Sequence, residues 1–388
     1  MQSYLSHLEC SQCSRVYDAT ALQSYCHRCN APLLARYNLE TARTELDRDR
    51  IAHQRAGLWR WFDLLPVIDP ANIISLGEGG TPLIPLKRVG EKFGLKNLSI
   101  KEEGLNPTGT FKARGMAVAV SKAYELGAHH LIVPSAGNAG GALAAYAARS
   151  GLDCAVYIPA DTPPVNIAET GMMGAEVVLV DGLISDAAKL VQKRAEREGW
   201  FDLSTFKEPY RVEGKKTIGY ELAEQLNWTL PDVIVYPTGG GTGLVGMVNA
   251  FMELKELGWL DSNRLPRMVA VQSSGCAPVV KAFEAQADNC QFWEDAATIA
   301  PGLRVPKPFA DRLIMQAIYR TEGTAIAVSD EDIRFWRNKL AVLEGINASP
   351  ESAATLAALP PLIQQGWLGT TEKVVVFNTG SGLKYPFL

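Results

Sequence analysis

The chain has 388 residues, 47% hydrophobic and 21% charged, enough apolar material for one large core or two moderate ones. A formal charge of −4 and a pI near 5.9 leave no basic footprint for nucleic acid and nothing to attract an acidic membrane. No apolar run approaches the roughly 20 residues that span a bilayer, and Met-Gln-Ser-Tyr-Leu-Ser-His lacks a signal-peptide core, so a cytoplasmic protein without membrane or nucleic-acid partners is expected.

At the start of the chain, four of the seven cysteines form Cys10-x2-Cys13 and Cys26-x2-Cys29, with twelve residues between the pairs. An odd total in a chain this long speaks against a disulfide framework. Two such knuckles turn four thiolates toward one tetrahedral ion, a zinc-ribbon pattern, and residues 1–38 are too few for a core without such a staple. Four cysteines close the coordination sphere, so the zinc expected here is structural. A redox pair, a site that has lost its metal, or His27 replacing a cysteine are the alternatives. Residues 39–75 are charged and then Trp-rich (Trp59, Trp61), consistent with a helix strapping the ribbon to the body, and Ser75-Leu-Gly-Glu-Gly-Gly-Thr-Pro-Leu83 is a turn-dense entry to the main fold.

The next stretch carries the first chemistry. Leu98–Glu103 reads as a short extended run, Asn106-Pro-Thr-Gly-Thr-Phe-Lys112-Ala-Arg-Gly115 as a loop, and Met116–Leu126 as a helix closed by Gly127. A lysine at a helix start sits against the positive end of the macrodipole, which disfavours the ammonium and favours the neutral amine that attacks carbonyls. Lys112 is therefore a candidate Schiff-base lysine. The plain alternative is a solvated surface lysine, and the loops that follow decide between the two.

Further along, the candidate strands are Leu131–Ser135, Cys154–Ile158, Glu176–Val180, Val233–Tyr236, Arg267–Gln272 and Lys373–Phe377, with helical patterns between them such as Asp186–Glu198 and Lys216–Leu226. Short β-branched runs joined by helical crossovers predict parallel sheet buried on both faces, an α/β doubly wound class whose ligands gather at the carboxyl ends of strands. Three such ends are rich in glycine. Ser135-Ala-Gly-Asn138-Ala-Gly-Gly141 runs into a helix predicted over Ala142–Arg149; its amides suit a carboxylate and Asn138 suits a ring substituent, although tight helix–sheet packing explains the glycines equally well. Pro237-Thr-Gly239-Gly240-Gly241-Thr242-Gly243 opens a helix over Leu244–Leu257 and forms a phosphate cup. Gly241-x-Gly243-x-x-Gly246 also spells the dinucleotide fingerprint, but the next strand ends in Gln272-Ser273-Ser274, without the acidic residue a ribose requires. The last strand ends in Asn-Thr379-Gly-Ser-Gly-Leu-Lys384. A lysine, an amide loop, a phosphate cup and a terminal hydroxyl together match the aldehyde, ring oxygen, phosphate and pyridine nitrogen of pyridoxal 5'-phosphate.

From about Ser75 to Lys384 these motifs, with Glu-Gly-Lys-Lys-Thr at 213–217, occur in an order that resembles the fold type II pyridoxal-phosphate enzymes, the tryptophan synthase β superfamily, and within it the threonine synthases. The resemblance implies two doubly wound open-sheet domains behind the zinc-ribbon-like module: residues 39–112 with 215–388 as the larger cofactor-binding domain, and 113–214 as a smaller mobile one. It implies Lys112 as the cofactor lysine, Asn138 beside the ring oxygen, Gly239, Gly240, Gly241, Thr242 and Gly243 around the cofactor phosphate, and Thr379 at the pyridine nitrogen. It further implies a homodimer that converts O-phospho-L-homoserine and water to threonine and phosphate. Ser135, Arg211 and Lys216 are the expected substrate contacts, the two cations flanking a Val-Glu-Gly turn before a helix whose N-terminus would share the substrate phosphate. Ala113 after the lysine is shared with dehydratase-like relatives, and the 203–211 segment keeps the arginine without an upstream asparagine. Threonine or serine dehydration, and a cysteate-synthase-like replacement on O-phosphoserine, therefore stand as alternatives.

Overall fold

From Leu83 onward, strand-forming runs too short to be helices alternate with longer helical stretches, and the chain settles into parallel sheets with helical crossovers. The computed structural model describes residues 2–54, 56–262 and 264–386. Two compact units result: one holds the residues up to Gly80 with Asn106–Tyr220 and Asn249–Trp259, the other Thr81–Leu105, Glu221–Val248 and the chain from Leu260 on.

The first unit begins with a three-stranded antiparallel sheet in the order β2-β1-β3, made of β1 (Leu5–Cys10), β2 (Val16–Tyr17) and β3 (Leu33–Tyr37). Residues 39–64 form not one strap helix but two short helices and a 3₁₀ segment, Leu39–Glu45, Arg48–Ala52 and Leu58–Leu64. Asp47 caps the second of these, which breaks the run, and Trp61 and Phe62 of the last are fully buried. The main sheet of this unit is fully parallel, in the order β8-β7-β6-β9: β6 (His130–Pro134), β7 (Asp153–Pro159), β8 (Glu176–Val180) and β9 (Phe201–Asp202). Around it lie α1 (Lys112–Glu125), α2 (Asn138–Ser150), α3 (Pro164–Met172), α4 (Ile184–Glu198) and the first part of α5 (Arg211–Gln225).

The second unit is built on a six-stranded sheet in the order β12-β11-β10-β13-β5-β4. Its strands are β4 (Leu83–Pro85), β5 (Asn97–Glu102), β10 (Val233–Pro237), β11 (Arg267–Ser273), β12 (Thr324–Val328) and β13 (Lys373–Asn378). All its pairings are parallel except β4 with β5, an antiparallel edge that ends in Pro85, a residue with no amide to donate. The core joins Val235, Val269, Val271, Val374 and Val376 of the sheet to Leu340 of α7 (Asp330–Glu344) and Leu356 of α8 (Pro350–Ala357). Helix α6 (Thr242–Glu256) follows β10. All six strands predicted from the sequence are present. The edge strand β12 and two short strands, β4 and β9, were not anticipated; the two or three residues of β4 and β9 are too few to carry a periodic pattern.

Candidate active site

β10 and β13 are neighbours in parallel register, Val233 beside Val374 and Val235 beside Val376, so the loops leaving their carboxyl ends begin side by side. The β10 loop, residues 238–241, feeds the 15-residue helix α6. Glycine is required here for space. A Cβ on Gly239 would overlap the Gly302 carbonyl, one on Gly243 would overlap the Tyr236 hydroxyl, and Gly241, at φ 79°, is backed by Ile314. The α6 ladder opens with Val245 N donating to Gly241 O at 3.0 Å, and the amides before it are the helix's orphan donors, suited to a phosphate. Next to them Thr379 is 5% exposed, its own amide donating to Ser352 Oγ at 2.9 Å. Asn378 Nδ2 donates to Glu102 Oε1 at 2.6 Å, and burial holds the Glu102 carboxyl above the ordinary range.

In the other unit Lys112 is the first residue of α1 and is half-buried. Thr108 (φ 60°) and Gly109 (φ 65°) turn the preceding loop sharply, and Asn106 Oδ1 ties it to the Gly79 amide at 3.0 Å. That Gly-Glu-Gly-Gly stretch is fixed in turn by Glu78, whose carboxylate accepts from Trp59 Nε1 and the Tyr146 hydroxyl, each at 2.6 Å. Sequence reasoning saw the glycines here and missed Glu78, although a lone acid among glycines in a turn was the available signal. Asn138 opens α2, which packs against α1. Gly140 and Gly141 are already helical: a Cβ on Gly140 would meet Val156 at 2.7 Å and one on Gly141 the Glu169 carboxylate at 2.5 Å. The helix predicted from Ala142 therefore starts at Asn138, its glycines serving close packing. Ser135 Oγ accepts from the amides of Gly137 (3.1 Å) and Gly140 (2.8 Å), so its hydroxyl shapes the loop.

The arrangement expected around Arg211 and Lys216 needs correction. Residues 212–214 are not a turn; α5 starts at Arg211, and its first amides are capped by the Glu208 carboxylate, which accepts from Tyr210 N at 2.7 Å and Arg211 N at 3.0 Å. The helix terminus is thus already capped by a carboxyl group of the chain itself. Lys216 is fully buried and bound to Glu213 (2.6 Å) and Glu253 (3.1 Å), with its ammonium 3.9 Å from the Tyr37 ring centroid. Its charge belongs to this cluster, in which Tyr37 donates to Glu213 and Tyr220 to Glu253. Arg211, 2% exposed, donates to the Leu203 carbonyl at 2.6 Å.

The sulfurs of Cys10, Cys13, Cys26 and Cys29 all lie within 4.8 Å of one another, and Cys13 and Cys26 are 3.9 Å apart. Tetrahedral zinc at the usual Zn–S length sets sulfurs about 3.8 Å apart, so the four cysteines fit such an ion. The amides of Gln12 and Cys13 point at Cys10 Sγ, both at 3.4 Å, and would favour its thiolate.

Residues 74–380 match the family described as "Pyridoxal-phosphate dependent enzyme". The chain is 36% identical to a threonine synthase of Methanocaldococcus jannaschii over 97% of its own length and 92% of the relative's. It is 38% identical to one of Methanosarcina acetivorans over 98% and 92%. Among solved structures it is similar to maize serine racemase (TM-score 0.67, 21% identity, 78% of this chain and 88% of that one). It is also similar to the processed form of threonine deaminase isoform 2 from Solanum lycopersicum (TM-score 0.67, 19% identity, 80% and 86%). The chain belongs to the pyridoxal-phosphate dependent enzyme family, fold type II. Within the second unit, the glycine loop with its helix amides is chemically suited to a phosphate and the buried Thr379 to a ring nitrogen; within the first unit, a lysine at a helix start is suited to an aldehyde.

Proposed function

We propose that this enzyme converts O-phospho-L-homoserine and water to L-threonine and inorganic phosphate. The observation that carries the reading is the 36–38% identity to threonine synthases over nearly the full length of both chains. Bound pyridoxal phosphate supplies an aldehyde for the substrate's amino group and a sink for the charge left as protons depart.

The residues of the chain do the rest. Lys112 would hold the cofactor and, as a free amine, would move protons at Cα and Cβ of the substrate. The amides of Gly239–Gly243 hold the cofactor phosphate, with Thr242 among them. Asn138 would serve the ring oxygen, and the loop shaped by Ser135 would hold the substrate carboxylate. Thr379 would offer the ring nitrogen a neutral hydroxyl rather than a carboxylate, a partner suited to elimination and replacement. Arg211 is the cation for the substrate phosphate, which leaves from Cγ before water adds at Cβ. In the same reading the four cysteines hold a structural zinc ion and the enzyme is a cytoplasmic homodimer.

A product assay offering O-phosphohomoserine, O-phosphoserine with sulfite, threonine and serine in parallel tests the reaction. Threonine and phosphate from the first substrate are expected. Turnover of threonine or serine alone would make it a dehydratase, and consumption of O-phosphoserine with sulfite alone a cysteate-forming enzyme. Lys112→Ala should abolish the visible absorption of the bound cofactor and its trapping by borohydride.

A further inference from the structure

The carboxyl ends of β6 and β7 lie side by side, Ser135 N donating to Tyr157 O at 2.9 Å, so the segments leading into α2 and α3 leave the sheet together. Gly137 (φ 128°) is the N-cap residue of the 13-residue α2, and the amides of Gly137 and Gly140 both donate to Ser135 Oγ. Two donors at this helix start are therefore spent inside the loop, and an anion held here needs a further one.

Asn166 of α3 is placed to supply it. Its side chain lies across Gly137: a Cβ on that glycine would come within 2.6 Å of Asn166 Nδ2 and 3.0 Å of its Cγ. Its backbone is pinned, the amide donating to Pro163 O at 2.9 Å and the carbonyl accepting from Thr170 Oγ1 at 2.8 Å. Asn166 is 1% exposed, yet its Oδ1 has no hydrogen-bond partner among the described residues. An interior amide with its oxygen unpaired is costlier than an apolar side chain of the same shape, so packing alone does not account for it. Thr162, just ahead of α3, is likewise buried with an unpartnered hydroxyl, a second orphan polar group at this strand end. Glu169, one turn further along α3, sets its carboxylate against Gly141, so α3 meets α2 with an amide at the N-cap and an acid further in.

We propose that Asn166 is a specificity residue of the substrate-carboxylate subsite: its Nδ2 donates to the α-carboxylate held by the Ser135–Asn138 loop and so favours α-amino acids over amines that lack the carboxylate. This role rests on the loop holding the substrate carboxylate, as proposed above, and the experiment keeps the two apart. The probes are two unreactive ligands: the phosphonate analogue of O-phosphohomoserine, with a methylene in place of the bridging oxygen, and the same molecule without its carboxylate. Their dissociation constants are read from the visible spectrum of the cofactor-loaded enzyme on titration. Wild type should prefer the ligand that carries the carboxylate. Asn166→Leu should weaken that ligand by about ten- to a hundredfold and leave the other within about twofold. Asn166→Asp, which keeps the shape and replaces the donor by a second anion, should lose at least as much. A preference unchanged in these variants, or equal losses for both ligands, would overturn the role of Asn166. Equal affinity of the wild type for the two ligands would instead overturn the loop as the carboxylate subsite, and binding of neither would overturn O-phosphohomoserine as the substrate. Should leucine against Gly137 prevent folding, Asn166→Ala decides the question by the same readout.

Discussion

Two helix starts look alike in the sequence and behave oppositely in the structure. Residues 239–243 and residues 212–214 both present glycine just ahead of an apolar-periodic stretch, and both read as turns presenting helix amides to an anion. After β10 the glycines 239–241 make a loop, and the amides ahead of Val245 are the first-turn donors that an anion site needs. At 212–214 the glycine is inside α5, where it allows contact with the backbone of α1, while Glu208 caps the helix. A glycine before a helix therefore marks either an anion site or a close packing, and the discriminating feature is the nearest acid upstream. Glu208 lies three residues before Arg211, whereas nothing acidic lies between Val233 and Gly243.

The largest contrast should come from filling the two glycines. Gly243→Ala would drive a methyl group into the Tyr236 hydroxyl at the mouth of the phosphate cup. We expect cofactor affinity to fall at least about a hundredfold, with the circular dichroism of the fold retained, measured by equilibrium dialysis. Gly214→Ala should do the reverse, lowering the melting temperature through a clash with Arg114 O worth roughly 1–3 kcal/mol, while folded molecules still bind the cofactor.

Next in size is the contrast between the two cations once paired at this helix. Lys216→Met leaves Glu213 and Glu253 facing each other in the interior, and stability should drop by about 3–5 kcal/mol, seen in urea unfolding. Arg211→Ala should instead lower kcat/KM for O-phosphohomoserine by about ten- to a hundredfold and leave the cofactor spectrum as it was. If Arg211→Ala turned over this substrate normally, the arginine would be a structural clamp on the Leu203 carbonyl and nothing more. Treatment with a chelator, or Cys10→Ser, should weaken the fold around β1 and β3 yet leave the turnover of intact, cofactor-loaded molecules within a few fold, because the zinc proposed for the four-cysteine cluster would have no open coordination position.

Much of this was legible in advance because the relevant signals are local. Apolar, largely β-branched runs gave six strands, paired Cys-x2-Cys knuckles gave the sulfur cluster, and glycine-rich strand ends gave the segments around Thr242, Thr379 and Asn138. What was not legible depends on partners distant in sequence. Telling Lys215 from Lys216 required the phase of α5: with the helix starting at Arg211, Arg211 and Lys215 are four residues apart on the face toward α1, while Lys216 turns to Glu253. Nothing local in the sequence marks Glu78 and Glu208 as interior groups, and their burial is set by contacts made only in the folded chain.

The smallest expected effect tests the cap itself. Burial pushes the Glu208 carboxyl up to about 7 against the opposing pull of Arg211 and of the Tyr210 and Arg211 amides. With a folded pKa above the unfolded carboxylate value, the native state binds more protons than the unfolded chain between those two values, so stability falls as pH rises through this window. The Glu208→Gln variant keeps an acceptor oxygen for the two amides but has no proton to lose. From about pH 5 to pH 7 the wild type should therefore lose stability relative to Glu208→Gln, by an amount on the order of 1–3 kcal/mol, read as the difference of urea midpoints at each pH. Equal pH dependence in the two proteins would mean that Glu208 is ionised throughout, a full negative charge on the amides of α5. In that case the helix start would repel rather than merely ignore a second anion, and Arg211 would have to offset that repulsion alone whenever a phosphate approached.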